Sequence, residues 1–270
     1  MRILITIFSV FGLFIAQNVC AQNEAKPLVL GEYFSIESKV LDEPRRINIY
    51  LPHTYGQDST KYYPVIYLLD GSLDEDFIHI VGLVQFCSFS WIEIIQESIV
   101  VGISNVDRKR DFTYPTSIEQ DKIDFPTSGG SSNFIDFIES ELIPEVNSRY
   151  RTDKKTLIGQ SLGGLLATEI LAKKPHLFDN YMIISPSLWW DNQSLLDTKF
   201  TELKSAKKVY VAVGNEGEIM VNGARKLYQK LTEYKWPQLY SSFEYFDNKT
   251  HGDVLHQAVY NGFVKFKVVP

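Results

Sequence analysis

The stretch that most limits what this chain can fold into runs from Lys154 to Ala172, KKTLIGQSLGGLLATEILA. Two charges and a short apolar run, Thr156, Leu157 and Ile158, predict the end of a buried strand, and LLATEILA reads as an apolar helix of good helix formers. Between them stands Gly159-Gln160-Ser161-Leu162-Gly163, a G-x-S-x-G pattern at a strand-to-helix junction. Such a turn holds a serine hydroxyl proud of the sheet. It is tight enough to strain the serine's own backbone, so side chains at positions 159 and 163 are expected to collide with neighbouring chain. The helix that follows aims its unpaired N–H groups at the reacting oxygen. Ser161 is therefore the candidate nucleophile. The alternative is a glycine-rich turn carrying an ordinary N-cap serine.

The first residues, Met1-Arg2 followed by ILITIFSVFGLFIA, combine a positive start with an apolar run too short and too early for a membrane span. Val19 and Ala21 are small residues where a signal peptidase reads, so residues 1–21 are expected to be a signal peptide cleaved before Gln22. A lipid anchor on Cys20 is the alternative, and Gln17-Asn18-Val19 is a poor match to such a signal. Cleavage implies a periplasmic or secreted protein with no membrane span. It would also take the formal net charge from −6 to −7 and leave Cys87 as the only cysteine, so the core must stand without a disulfide. Cys87, in VGLVQFCSFSW, reads as a small core residue. The acidic balance argues against nucleic acid or an anionic membrane surface as partner and leaves small substrates open.

From Leu28 onward no linker, repeat or low-complexity block interrupts the chain, which predicts one domain over residues 22–270. Gly31 to Val40 and Arg45 to Leu51 alternate apolar and polar, as half-buried antiparallel strands do. Tyr63 to Leu69 and Ile99 to Ile103 are continuously apolar, the pattern of strands covered on both faces. A helix is expected over Phe134 to Val146, strands over Tyr181 to Ile184, Val209 to Val213 and Leu239 to Phe246, and helices over Met220 to Tyr234 and Asp253 to Phe263. The fold class is α/β: a mostly parallel, doubly wound sheet with an antiparallel N-terminal part and helices on both faces. Ligands bind such sheets outside the carboxyl ends of the strands.

A serine needs a base. His251, in the loop after the last strand and before the last helix, is the candidate. His53 and His79 precede the elbow and break the order serine, acid, histidine; His256 lies inside the last helix and points elsewhere; His176 reads as structural. The acid should follow the strand Val209 to Val213, where Glu216 stands nearer the strand end than Glu218; Asp247 and Asp253 are further alternatives. An oxyanion hole needs two N–H donors. Leu162 is one candidate, and Gly71 or Ser72, after the strand Tyr63 to Leu69, is the other. The irregular stretch from Asn105 to Gly130 offers Arg108 or Arg110 to an anionic or catechol-like group, or else to an ion pair with Asp107 or Asp111. Trp189 and Trp190 offer flat surface to a ring-bearing substrate, or buried lid packing. Metal-binding and nucleotide-binding motifs are absent from the sequence, and no cofactor is expected.

With YLLDG, RKRDFTYP, FIDFIESELIPEVNSRYR, IGQSLGGLLA, FDNYMIISPSLWWD and KTHGDV in this order, the chain resembles the esterase branch of the α/β-hydrolase superfamily. That branch includes esterase D (S-formylglutathione hydrolase), the ferric-enterobactin and salmochelin esterases, and feruloyl and acetyl-xylan esterases. The resemblance spans Glu32 to the C-terminus. It implies an α/β-hydrolase fold, Ser161 as nucleophile, His251 as base and a glutamate near position 216, although the acid varies in the family. Gln160 replaces the histidine many relatives carry, and its side chain is expected to leave the elbow sideways without affecting the chemistry. The expected activity is serine carboxylic-ester hydrolysis through an acyl-enzyme, with a trilactone siderophore ester first among substrates and an acetyl or feruloyl sugar ester second. Acyl transfer uses the same residues, and a catalytically silent binding module is the reading from another class.

Overall fold

The computed structural model describes residues 25–268, so the signal-peptide reading of residues 1–21 lies outside the described residues. The strands are β1 (Glu32–Ser38), β2 (Glu43–Tyr50), β3 (Tyr63–Leu68), β4 (Ile99–Ile103), β5 (Thr152–Gln160), β6 (Asn180–Ile184), β7 (Lys207–Gly214) and β8 (Leu239–Phe246). They form one eight-stranded sheet in the order β1-β2-β4-β3-β5-β6-β7-β8. The β1–β2 and β2–β4 pairs are antiparallel, and every pair from β4 to β8 is parallel. Antiparallel pairing sits where the sequence alternates, and parallel pairing where it is apolar throughout, because crossover helices cover both faces of the parallel part.

The helices are α1 (Phe77–Ser88), α2 (Arg108–Phe112), α3 (Glu119–Asp124), α4 (Ser131–Phe137), α5 (Ile143–Arg149), α6 (Leu162–Lys173), α7 (Ser194–Asp197), α8 (Glu218–Glu233) and α9 (Val254–Lys267). Alternate strand residues feed two cores. Val65, Tyr67, Leu157, Ile183, Val209 and Val211 pack with Phe134, Leu165 and Leu227 from α4, α6 and α8. Ile66, Leu68, Ile158, Met182, Tyr210 and Ala212 face the other way, onto Ile80 and Val84 of α1 and Ala258 and Val259 of α9. This strand order, with helices on both faces, is the α/β-hydrolase fold.

Cys87 stands in the core as expected, and two other details differ from the sequence reading. The apolar stretch around Cys87 is helix α1, and Cys87 is fully buried, where desolvation pushes its thiol up to about 11. The helix expected over Phe134 to Val146 extends from Ser131 to Arg149 and widens into a π turn at Ile138–Leu142. Pro144 supplies the reason: it has no N–H to donate one turn back, and its ring crowds that carbonyl. The stretch from Asn105 to Gly130 is not irregular throughout but contains α2 and α3.

A buried charge cluster fastens α2 to the antiparallel edge of the sheet. Arg45 on β2, fully buried, pairs with Glu43 and sits 2.7 Å from Asp111 Oδ2, with its guanidinium over the Phe134 ring. Arg110 completes the cluster, at 2.8 Å from Asp111 Oδ1 and 2.5 Å from Glu43 Oε1. Removing the buried cation leaves Asp111 under-compensated in a dry site. Arg45→Ala is expected to destabilise the fold by about 3–5 kcal/mol, read as a lowered thermal midpoint; a change below about 1 kcal/mol would mean that solvent already screens the cluster.

Candidate active site

The junction of β5 and α6 places Ser161 at φ 60°, ψ −121°, a left-handed backbone that a non-glycine residue adopts at a cost of about 1–3 kcal/mol. Its neighbours hold it there. Ser161 N–H donates to Ile184 O at 3.0 Å, and Ser161 O accepts from Leu165 N and Ser187 N, each at 3.0 Å. A methyl at Gly159 would stand 2.3 Å from Gly163 O, so that glycine is obligatory. At Gly163 the expected collision is absent, since a methyl would make an ordinary 3.4 Å contact with Asp70 Oδ2 and Leu69 Cβ. Crowding falls instead on Gly164, where a methyl would lie 2.9 Å from Ile184 O and Pro186 Cα, because α6 descends directly onto the segment leaving β6.

Two strand-end loops bring a histidine and a carboxylate together. His251 Nδ1 lies 2.5 Å from Glu216 Oε2, and Asn215 N–H donates to Lys249 O at 2.6 Å. A methyl at Gly214 would meet Lys249 O at 2.7 Å, which is why β7 ends in glycine, and Gly217, at φ 83°, turns the chain into α8. Asp253 braces the histidine loop by accepting from Thr250 N at 2.6 Å and Thr250 Oγ1 at 2.8 Å. The Glu216 side chain is only 3% exposed. Burial alone would raise its pKa, but hydrogen bonds from His251, Ser185 Oγ and Gly214 N–H outweigh that effect and hold the carboxyl below the usual range. Its contribution to stability is therefore present above the ordinary carboxylate range and lost as pH falls through the lowered value. Glu218 is exposed at the start of α8 in a shallow groove with Gln193, Asn222 and Arg225, so Glu216 is the glutamate beside His251.

Ser161 Oγ is 3.3 Å from Ser187 Oγ, and among the described residues no hydrogen bond joins it to His251. The link between elbow and histidine runs through Gln160, whose Nε2 donates to His251 O at 2.6 Å. The Gln160 side chain leaves the elbow sideways, as expected, and it lands on the backbone of the histidine loop. Catalytic hydrogen bonds are commonly loose before substrate arrives.

The other predicted positions separate. Leu162 opens α6, where its N–H has no intrahelical partner. Gly71 N–H donates to Ile103 O at 3.0 Å, extending the sheet, so it is not free for an oxyanion; its missing side chain serves the close approach to Gly102, where a methyl would lie 2.4 Å from Cα. Ser72 N–H meets only the Glu75 carboxylate, at 3.3 Å. Arg108 is paired with neither Asp107 nor Asp111. It grips Asp70 through two bonds, of 2.6 and 2.9 Å, and reaches Gln160 O at 3.3 Å, tying the end of β3 to the elbow. Arg110 belongs to the buried cluster on Asp111 and Glu43. Trp190 is fully buried and its Nε1 donates to Tyr114 O at 2.9 Å, while half-buried Trp189 packs on Phe125; the tryptophans anchor the segment around α3. His256 stacks on His79, with nitrogens 2.9 Å apart, and His176 meets Glu139 at 2.8 Å. Among the described residues no cluster of three or more His, Cys, Asp or Glu is arranged to hold a metal ion, and no helix is long and apolar enough to cross a membrane. Sequence reasoning missed Ser185 and Ser187, for which Ser-Pro-Ser immediately after a buried strand was the available signal.

Sheet order and elbow together define the class as an α/β-hydrolase. Residues 38–253 match the family described as "Putative esterase", and the chain belongs to that family and is an ester hydrolase. It is 29% identical over 238 residues to the ferri-bacillibactin esterase BesA of Bacillus subtilis (strain 168), covering 79% of this chain and 82% of BesA. An IroE-like serine hydrolase from Shewanella oneidensis superposes with a TM-score of 0.78 at 31% identity, covering 88% of this chain and 80% of that one. The BES protein from Bacillus cereus superposes at 0.77 with 28% identity, covering 90% and 98%.

Gln160→Ala cuts the tether to the histidine loop without touching the core. It is expected to lower kcat roughly tenfold on a p-nitrophenyl ester, with KM and the thermal midpoint little changed; an unaltered kcat would show that the ties from Asn215 and Asp253 position His251 unaided.

Proposed function

We propose that the chain is a serine carboxylic-ester hydrolase acting through Ser161, His251 and Glu216. The observation that carries this reading is the 2.5 Å contact between a buried, ionised Glu216 and His251, whose own loop is fastened to the strained serine's turn by Gln160. In the reaction, the Ser161 hydroxyl attacks the ester carbonyl as His251 Nε2 takes its proton, and the negative charge gathers on the carbonyl oxygen. Leu162 N–H and Ser72 N–H are the donors for that charge, the second once substrate displaces Glu75. Collapse expels the alcohol, which receives the proton from His251 and leaves an acyl-enzyme. Water then attacks the acyl carbon, giving its proton to the same histidine, and the acid departs as the proton returns to Ser161. Glu216 holds the imidazole tautomer and steadies the imidazolium in both halves.

A siderophore ester of the trilactone kind is the proposed substrate, supported by the similarity to an esterase of ferri-bacillibactin. Residues 1–21 are proposed to direct export and to be removed, leaving residues 22–270 as one hydrolase domain in the periplasm or outside the cell. The test is hydrolysis of p-nitrophenyl acetate and butyrate and of a tricatecholate trilactone by residues 22–270, with intact-mass detection of a fluorophosphonate adduct. Turnover and adduct are expected in the wild type. Ser161→Ala should lose both, with kcat down by more than about 10³-fold, and Glu216→Gln should lose far more activity than Glu218→Gln. A wild-type protein that neither turns over nor labels would remove the serine mechanism and favour a binding role.

A further inference from the structure

We propose that Ser185 is a positioning residue that aims the Glu216 carboxylate at His251, a role that rests on Glu216 being the acid of the site. Ser185 follows β6, is fully buried, and holds a left-handed backbone at φ 43°. Glycine would adopt that backbone freely, whereas a serine there is strained, so the side chain must contribute something glycine lacks. Its hydroxyl donates to Glu216 Oε1 at 2.5 Å. Gly214 N–H reaches the same oxygen at 3.0 Å, which leaves Oε2 for His251 Nδ1. Two donors on one oxygen fix the rotation of the carboxylate and keep its negative charge in a buried setting, while the other oxygen keeps its lone pairs for the imidazole.

Anchoring explains why the donor comes from this position. Ser185 N–H donates to Ala212 O at 2.7 Å, continuing the β6–β7 ladder for one residue past the strand. Two residues on, Ser187 N–H donates to Ser161 O at 3.0 Å and its hydroxyl lies 3.3 Å from Ser161 Oγ. The segment Ser185-Pro186-Ser187 thus touches the acid with its first residue and the nucleophile with its last. It sets the distance between the two ends of the catalytic group.

The experiment is a double-mutant cycle of Ser185→Gly with Glu216→Gln, assayed on p-nitrophenyl butyrate, with Ser185→Ala as a companion. Ser185→Gly removes hydroxyl and strain together, so its thermal midpoint should not fall, while kcat drops roughly tenfold at constant KM. Ser185→Ala keeps the strain and should be equally slow, which separates loss of the hydroxyl from gain of backbone freedom. In the Glu216→Gln background Ser185→Gly should cause no further loss, since the group it acts through is gone. A Ser185→Gly enzyme with wild-type kcat, beside a crippled Glu216→Gln enzyme, would overturn the role of Ser185 and leave the acid standing. Equal losses in both backgrounds would overturn it as well, by showing that Ser185 acts elsewhere. Full activity in Glu216→Gln would remove the acid and this inference together.

Discussion

Everything at the carboxyl end of this sheet depends on holding Ser161 in a backbone conformation it would not choose. Strain of that kind persists only where surrounding contacts over-determine it. Here they come from three directions: the sheet, through Ile184 O; the first turn of α6, through Leu165 N–H; and the segment after β6, through Ser187 N–H. The glycines at 159 and 164 are what allow these elements to close in so tightly. Since the helix must start where the strand stops, the N–H of Leu162 is delivered beside the serine hydroxyl by the same constraint.

Around that point, buried carboxylates are used as fixings, each held by specific partners. Asp70 is gripped by Arg108, Asp111 by Arg45 and Arg110, and Glu216 by His251, Ser185 and Gly214. The first two join loops to sheet through arginine–carboxylate pairs. The third differs because its partner is a half-exposed imidazole.

Much of this was legible before any coordinates. Continuous apolar runs at Tyr63 to Leu69 and Ile99 to Ile103 marked the parallel centre because strands covered on both faces have no polar side to show. The glycine and serine spacing at 159–163 marked the elbow, and chain order singled out His251. Glu216 stood out for its closeness to a strand end. Of the two residues offered as second oxyanion donor, Gly71 or Ser72, the first has its N–H taken by Ile103 O, because a glycine at a strand end signals close approach without saying to what; here it is Gly102 and the β4 backbone. For Arg108, Arg110, Trp189 and Trp190 the sequence left substrate contact open beside ion pairing or buried packing, because long charged and aromatic side chains in loops give no sequence sign of what they pack against; Arg110 pairs with Asp111, and Trp190 is buried. That the Gln160 side chain leaves the elbow sideways was legible; that it ends on His251 O was not.

What the sequence by itself determined is local: periodicity, turn chemistry and the order of elements, since each arises from neighbours along the chain. Only the tertiary structure decided which side chains meet. Gln160 and His251 are 91 residues apart, Ser185 and Glu216 are 31, and Arg108 and Asp70 are 38. Those contacts arise because parallel strands bring their carboxyl ends to one edge of the sheet, and register across the sheet, rather than spacing along the chain, sets which side chain faces which.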